Sequence, residues 1–163
     1  MRVLIYSKDY DKVKESGVGK AIDHQKKALA KIGFDFTTDE REDFDLVHIN
    51  TVLPGAVAFA KSARKRGKKV IYHGHSTMED FRNSFIFSNQ LAPFFKKWLI
   101  HAYKLGDLVF TPSEYSKKIL ETYGIDREIC VISNGIDLDF WKGKDGDGIS
   151  FMKDTDLIKT RNQ

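Results

Sequence analysis

Six short apolar segments, separated by longer segments with a helical pattern, restrict the fold of this chain more than any other feature. The short segments are rich in Val, Ile, Leu and Phe, as expected for strands buried on both faces of a parallel sheet. Between them, apolar residues recur every three or four positions, which predicts amphipathic helices. The predicted strands cover residues 2–7, 34–38, 46–50, 69–73, 108–111 and 129–133.

Glycine, proline and serine mark the ends of the predicted helices. One helix covers residues 20–32 and ends at Gly33, and another begins at Pro54 and ends at Gly67. A third is capped by Ser113 and ends at the glycine of residue 124. These signals separate consecutive helices and strands by short turns.

Strands that alternate with helices at this spacing predict an α/β fold, a Rossmann-like parallel sheet with helices on both faces. The aromatic segment 81–105 is also predicted to be helical, with Pro93 as a break or a first-turn residue. The predicted domain covers residues 1–141. Residues 142–163 are polar without a sustained apolar period, so we expect a frayed tail or a short terminal helix.

Charge and composition limit the classes of partner. The 163 residues carry a net charge of +4, which permits contact with anionic lipid or a phosphorylated ligand. The basic run 61–69 is either a solvated helix end or an anionic-surface patch, and because no nucleic-acid motif accompanies it we expect no nucleic-acid partner. Cys130 is the single cysteine, expected to be buried, and no apolar run approaches the roughly 20 residues of a membrane span. These features predict a cytoplasmic protein.

Polar residues follow several predicted strands, at the edge where open parallel sheets bind ligands. They indicate either a polar pocket in which one histidine holds substrate, or histidines with structural roles. A metal site is not predicted, because His73 and His75 diverge if both remain in a strand and no cysteine supports them. The candidate residues of this cleft are His48, Asn50, His73, His75, Ser76, Thr77, Ser113 and Asn134.

Gly17, Val18 and Gly19 form a second candidate site, at the start of the first predicted helix. Glycines there allow close approach of the backbone to an anion, and free amides at a helix start can bind phosphate. A plain turn is the alternative. The dinucleotide-binding fingerprint would require a glycine at Ile22, which counts against a general nucleotide-binding domain.

Three segments taken together, residues 17–19, 111–118 and 131–137, resemble one family. It is the large family of retaining glycosyltransferases with the two-domain GT-B fold (glycosyltransferase family 4-like), which holds bacterial glycolipid, sucrose and polysaccharide glycosyltransferases. Residues 79–85 and 91–95 resemble the subgroup that glycosylates diacylglycerol. The resemblance extends over the whole predicted domain.

The resemblance implies roles for particular residues. Gly17 and Gly19 match the loop beside the donor diphosphate, and Asn134 matches the turn before the interdomain crossover. His75 matches the histidine of the family's His-Thr/Ser motif, beside the reacting sugar and acceptor, and is the candidate catalytic residue. No cofactor or metal is implied, and a nucleotide sugar such as UDP-glucose is the co-substrate.

The resemblance also implies that the chain is the N-terminal, acceptor-side half of such an enzyme, truncated before the domain that binds most of the donor. Such a half would serve transfer of a hexose to a lipid or glycan acceptor and be inactive alone. A non-catalytic lipid- or acceptor-binding module is the alternative. An apolar interdomain face left exposed predicts self-association.

Aromatic and basic residues alternate in the segment 81–105. Phe94, Phe95, Lys96, Lys97 and Trp98 are predicted to contact an anionic membrane surface, on the inner face of the membrane. The alternative is that most of these aromatic residues pack into the core of the domain or onto the missing partner domain.

Overall fold

A computed structural model of the chain describes residues 1–82, 84 and 86–135. The predicted tail, residues 142–163, and the end of the segment 131–137 lie outside the described residues. The elements in chain order are β1 (Val3–Ile5), α1 (Tyr10–Val13), α2 (Gly17–Lys31), β2 (Phe36–Thr37), β3 (Leu46–Ile49), α3 (Pro54–Lys65), β4 (Lys69–His73), α4 (Met78–Phe81), α5 (Ser88–Tyr103), β5 (Leu108–Thr111), α6 (Glu114–Glu121) and β6 (Glu128–Val131).

The six strands form one sheet in the order β2-β1-β3-β4-β5-β6, and every neighbouring pair is parallel. The chain runs from β1 outward to β2, and then from β3 outward to β6 in the opposite direction. Because crossovers between parallel strands are right-handed, this reversal places α2 on one face of the sheet and α3, α5 and α6 on the other. The predicted α/β fold with helices on both faces is confirmed.

Two apolar clusters follow from this arrangement, one on each face. The smaller cluster joins Val3, Ile5 and Ile22 to partly buried side chains of α1 and α2. The larger cluster joins the alternate strand positions, such as Leu4 and Val47, to the inner sides of α3, α5 and α6. Side chains alternate between the faces along each strand, and this alternation assigns each residue to one cluster.

The glycine and serine signals delimit the helices as predicted. The helices α2, α3 and α6 are each followed by a glycine with a φ of +65° to +73°, a conformation that glycine adopts without steric cost. Ser113 caps α6 by accepting a hydrogen bond from the Ser116 amide (3.2 Å). The helix α2 starts at Gly17, three residues before the predicted start, and the short helix α1 was not predicted.

Three expectations need correction. The segment 81–105 is not one helix, because the chain leaves the helical conformation after Phe81 and Phe87 has a φ of +70° before α5 begins. Pro93 is neither a break nor a first-turn residue, since it lies inside α5. Cys130 is half-buried rather than buried, because β6 is an edge strand of the sheet.

The basic run forms the end of α3 and the turn after it, which agrees with the interpretation as a helix end. Lys68 pairs with Asp43 (2.7 Å), and Arg64 donates to the Leu105 carbonyl (2.8 Å). Arg66 lies over the ring of Phe44. These contacts engage three of its cations within the domain.

Candidate functional site

Three histidine rings stack at the carboxyl edge of β3 and β4. His48 and His73 lie on adjacent strands with ring centroids 5.5 Å apart, and His73 and His75 are 4.2 Å apart. The stacking of His75 on His73 depends on a tight turn at Gly74, in which the His75 amide donates to the His73 carbonyl (3.0 Å). The expected divergence of His73 and His75 therefore does not occur, because β4 ends at His73.

Two side-chain amides join this histidine stack to α2. Gln25 Nε2 donates to Asn50 Oδ1 (2.9 Å), and Asn50 Nδ2 donates back to Gln25 Oε1 (2.8 Å). Gln25 Nε2 also lies 3.2 Å from His73 Nδ1, and Asn50 Oδ1 lies 3.0 Å from His75 Nε2. A connected polar network therefore links α2, the end of β3 and the turn after β4.

Burial keeps these histidines neutral. Loss of hydration lowers the pKa of His48 to about 4, that of His73 to about 2 and that of His75 to about 4. Neighbouring histidine rings lower the pKa of His48 and His73 further. Neutral imidazoles act as hydrogen-bond donors and acceptors at physiological pH, not as cations.

Ser76, Thr77 and Ser113 lie at the same edge but have structural partners. The Ser76 carbonyl accepts from the Tyr103 hydroxyl (2.9 Å), and Thr77 Oγ1 caps α4 by accepting from the Asp80 amide (3.1 Å). Ser113 caps α6. The structure thus brings these three residues to the edge of the sheet, while the polar network involves Asn50 and the histidines. Their predicted contacts with a substrate stay predictions.

Gly17, Val18 and Gly19 form the first turn of α2, which is capped by Ser16. A side chain at Gly19 would meet the backbone of α1, since an added Cβ would lie 2.4 Å from the Val13 carbonyl oxygen. At Gly17 the same addition meets nothing within 4 Å. Close packing of α1 on α2 therefore explains Gly19, and the predicted phosphate role of this turn stays a prediction.

Asn134 follows β6 and contacts the same helix. Its carbonyl oxygen lies 3.3 Å from His24 Nδ1, on α2 next to Gln25. Its side-chain oxygen is buried, with no hydrogen-bond partner among the described residues. The helix α2 therefore connects the predicted glycine turn, the polar network and the turn after β6.

The five residues predicted to touch a membrane divide into two groups. Phe94 and Lys97 are exposed on α5. Phe95 stacks on Phe81 with centroids 4.3 Å apart, Lys96 lies over the ring of Tyr123, and Trp98 Nε1 donates to the Val52 carbonyl (2.7 Å). The second group faces the domain, as the core-packing alternative had it.

Two residues of the site, Gln25 and His24, were not singled out from the sequence. Gln25 lies on the inner side of α2, three and four positions after the buried Ile22 and Ala21. A polar residue at that helical spacing within an apolar stripe is the signal that could have identified it. His24 has no comparable signal, because it borders that stripe and its contact with Asn134 joins distant segments.

The part of the chain that the structure describes contains no group of three His, Cys, Asp or Glu side chains placed to hold a metal ion. The histidines stack face to face instead of converging on a point. No helix within residues 1–82 and 86–135 combines the length and apolarity needed to cross a bilayer.

Comparison with known proteins identifies the family. The model of the family "Glycosyltransferase Family 4" matches residues 16–140. The chain is also similar to the "Processive diacylglycerol alpha-glucosyltransferase" of Acholeplasma laidlawii, with 42% identity over 160 residues that cover 96% of this chain and 46% of the relative. The chain thus spans about half the length of this curated relative. The resemblance inferred from the three motifs is confirmed, and the chain belongs to glycosyltransferase family 4.

Proposed function

We propose that this chain is the acceptor-side domain of a retaining glycosyltransferase that transfers a hexose from a nucleotide sugar to a lipid or glycan acceptor. The neutral, hydrogen-bonded His75 at the carboxyl edge of the sheet carries the proposal. Its place beside Asn50, at the end of the adjacent strand, suits a group that orients a sugar hydroxyl. The name of the Acholeplasma relative supports glucose as the sugar and diacylglycerol as the acceptor.

The proposal includes a division of labour between two domains. The donor, UDP-glucose or a similar nucleotide sugar, is bound mainly by a second domain, and the turn 17–19 faces its diphosphate. Catalysis then needs both walls of a closed cleft, because transfer depends on holding donor and acceptor together. We therefore expect no transfer by this chain alone.

Complementation tests this function. The chain is mixed with the separately produced remaining segment of the Acholeplasma relative, and transfer of labelled glucose from UDP-glucose to diacylglycerol in vesicles is measured. We expect transfer only from the mixture, and a roughly 100-fold lower rate with His75→Gln. The matched control His101→Gln, at an exposed histidine of α5, retains the rate. Transfer by the chain alone would contradict the division of labour, and an undiminished rate with His75→Gln would contradict the role of His75.

A membrane surface is the second partner that we propose, and one stripe of α5 supports it. Leu91 and Phe94 lie three residues apart on α5 and are 47% and 70% exposed, and Phe87, directly before the helix, is 68% exposed. Lys97 is exposed three positions after Phe94, and Lys104 is exposed directly after the end of the helix. Exposed apolar side chains followed by cations suit the interface of an anionic bilayer.

Vesicle co-sedimentation tests this partner. We expect Phe94→Ser to reduce binding to anionic diacylglycerol vesicles severalfold. Tyr115→Ser removes an aromatic residue of similar exposure (68%) from α6 and leaves binding unchanged. Equal binding by parent and Phe94→Ser would contradict the membrane-contact stripe.

The alternative function is a non-catalytic module that retains lipid or acceptor binding. The exposed stripe of α5 favours it, because membrane binding needs no donor domain. Vesicle binding without any transfer in the complemented mixture would select this alternative. Self-association through an exposed interdomain face belongs to both functions, and sedimentation velocity over a range of concentrations tests it.

A further inference from the structure

The amide pair Gln25–Asn50 has a defined orientation. Each amide both donates to and accepts from the other, through Gln25 Nε2 to Asn50 Oδ1 (2.9 Å) and Asn50 Nδ2 to Gln25 Oε1 (2.8 Å). Turning only one of the two amides over would bring oxygen against oxygen and nitrogen against nitrogen. The two side chains therefore keep one orientation relative to each other, and Asn50 is almost fully buried, with 2% exposure.

In the orientation that the structure shows, two of these atoms determine which ring nitrogens carry protons; turning both amides over together would keep the pair but reverse both assignments, an outcome that the NMR experiment below distinguishes. Asn50 Oδ1 can only accept, so His75 Nε2, at 3.0 Å, must be the protonated nitrogen. Gln25 Nε2 can only donate, so His73 Nδ1, at 3.2 Å, must be unprotonated. In neutral rings the remaining nitrogens follow, which leaves His75 with an unprotonated Nδ1 and His73 with a protonated Nε2.

We propose that Gln25 is a positioning residue that acts through Asn50 to hold His75 as its Nε2–H tautomer, with Nδ1 as a hydrogen-bond acceptor for a substrate hydroxyl. The substrate hydroxyl in this statement rests on the proposed function, while the tautomer rests on the hydrogen bonds alone. An acceptor nitrogen at this position orients a hydroxyl by taking its hydrogen bond, which a ring with a protonated Nδ1 cannot do. Lowered pKa values keep the rings in the neutral form on which this argument depends.

NMR of the chain labelled with ¹⁵N histidine measures the tautomer directly, because unprotonated ring nitrogens resonate far downfield of protonated ones. We expect His75 to show a downfield Nδ1 and an upfield Nε2 at neutral pH, with the signals assigned by their loss in His75→Gln. In Gln25→Met, which keeps the length of the side chain without its amide, we expect the two His75 shifts to move toward each other as tautomers mix. Lys20→Met, at an exposed position of the same helix, is the control and leaves both shifts in place.

Two results would overturn the proposal: a protonated Nδ1 on His75 in the parent chain, or unchanged His75 shifts in a folded Gln25→Met. If Gln25→Met does not fold, a coupling through the hydrogen bond between Gln25 Nε2 and His73 Nδ1 is measured in the parent chain, with Gln25 side-chain nitrogens also labelled. Its presence supports the orientation of the amides, and its absence contradicts it. These results are independent of the glucose-transfer assay, so the tautomer and the proposed function can fail separately.

Discussion

The two faces of the sheet are covered to different extents. Val47 and Val70 belong to the cluster with α3 and α5, and both are 0% exposed. The next residues along the same strands, His48 and Ile71, point to the face of α2 and are half-buried. In the described part of the chain only α1 and α2 pack on that face, whereas α3, α5 and α6 cover the other.

Because of this difference, one face of the sheet contributes mainly to the stability of the fold, and the other carries the polar groups of the candidate site. The face covered by α3, α5 and α6, here called the closed face, buries apolar side chains almost completely. It therefore supplies most of the hydrophobic free energy of folding. The face on which α1 and α2 pack, here called the half-covered face, carries His48 and His73. Gln25 of α2 joins His73 to the polar network. Gln25 and Asn50 keep hydrogen-bond partners there, whereas His48 Nε2 and His73 Nε2 are buried without a partner among the described residues.

The largest expected effect is on the free energy of unfolding, when one leucine on each face is replaced by alanine. Leu4→Ala removes a fully buried side chain from the closed face, and we expect the free energy of unfolding to fall by about 2–5 kcal/mol. Leu46→Ala removes the same atoms from the half-covered face on the adjacent strand, and the loss should be about half as large because its site is partly solvated. Denaturant unfolding of both variants measures the difference. Equal losses would show that the two faces are covered equally in solution.

The sequence predicts the strands and their order of appearance, but not which face is closed. Val3, Leu4 and Ile5 are all apolar, so the run that forms β1 looks the same on both sides, and only the positions of the helices distinguish the faces there. Those positions follow from the reversal between β2 and β3, which no local pattern shows. Local signals do predict the helix ends, since a cap such as Ser113 is satisfied within a few residues.

For the candidate site too, the sequence predicts which residues follow the strands, but not the contacts between segments that are distant in the chain. Residues directly after strands, such as Asn50 and His75, could be placed because parallel strands end at one edge of a sheet. The partner Gln25 comes from a helix 25 positions before Asn50, and its contact exists only after α2 packs on the sheet. Stacking of His75 on His73 depends on the turn at Gly74, which the strand pattern does not show.

An intermediate effect tests how α1 and α2 pack on the half-covered face. Gly19→Ala places a Cβ 2.4 Å from the Val13 carbonyl oxygen, so backbone must shift and we expect a loss of about 1–3 kcal/mol in unfolding free energy. Gly17→Ala has open space and should be neutral or slightly stabilising, by less than about 1 kcal/mol, because alanine loses less conformational entropy. Thermal and denaturant unfolding measure both. A tolerated Gly19→Ala would mean that α1 does not pack on α2 as described.

The smallest expected effect is on the pH dependence of stability, to which the histidines of the half-covered face contribute. A histidine with a lowered pKa in the folded chain binds its proton more weakly there than in the unfolded chain, where the pKa is about 6.5. Its contribution is therefore fully present above about pH 6.5 and is lost as the pH falls toward about 4 for His48 and His75.

Each such histidine steepens the loss of stability by at most about 1.4 kcal/mol per pH unit in this window. His75→Gln lowers stability at neutral pH by removing a hydrogen bond, but it should also make the decline between about pH 6.5 and pH 5 shallower. Denaturant unfolding at several pH values gives both slopes. If His75→Gln declines as steeply as the parent, His75 titrates alike in the folded and unfolded chains, and the neutral network at the carboxyl edge loses its support.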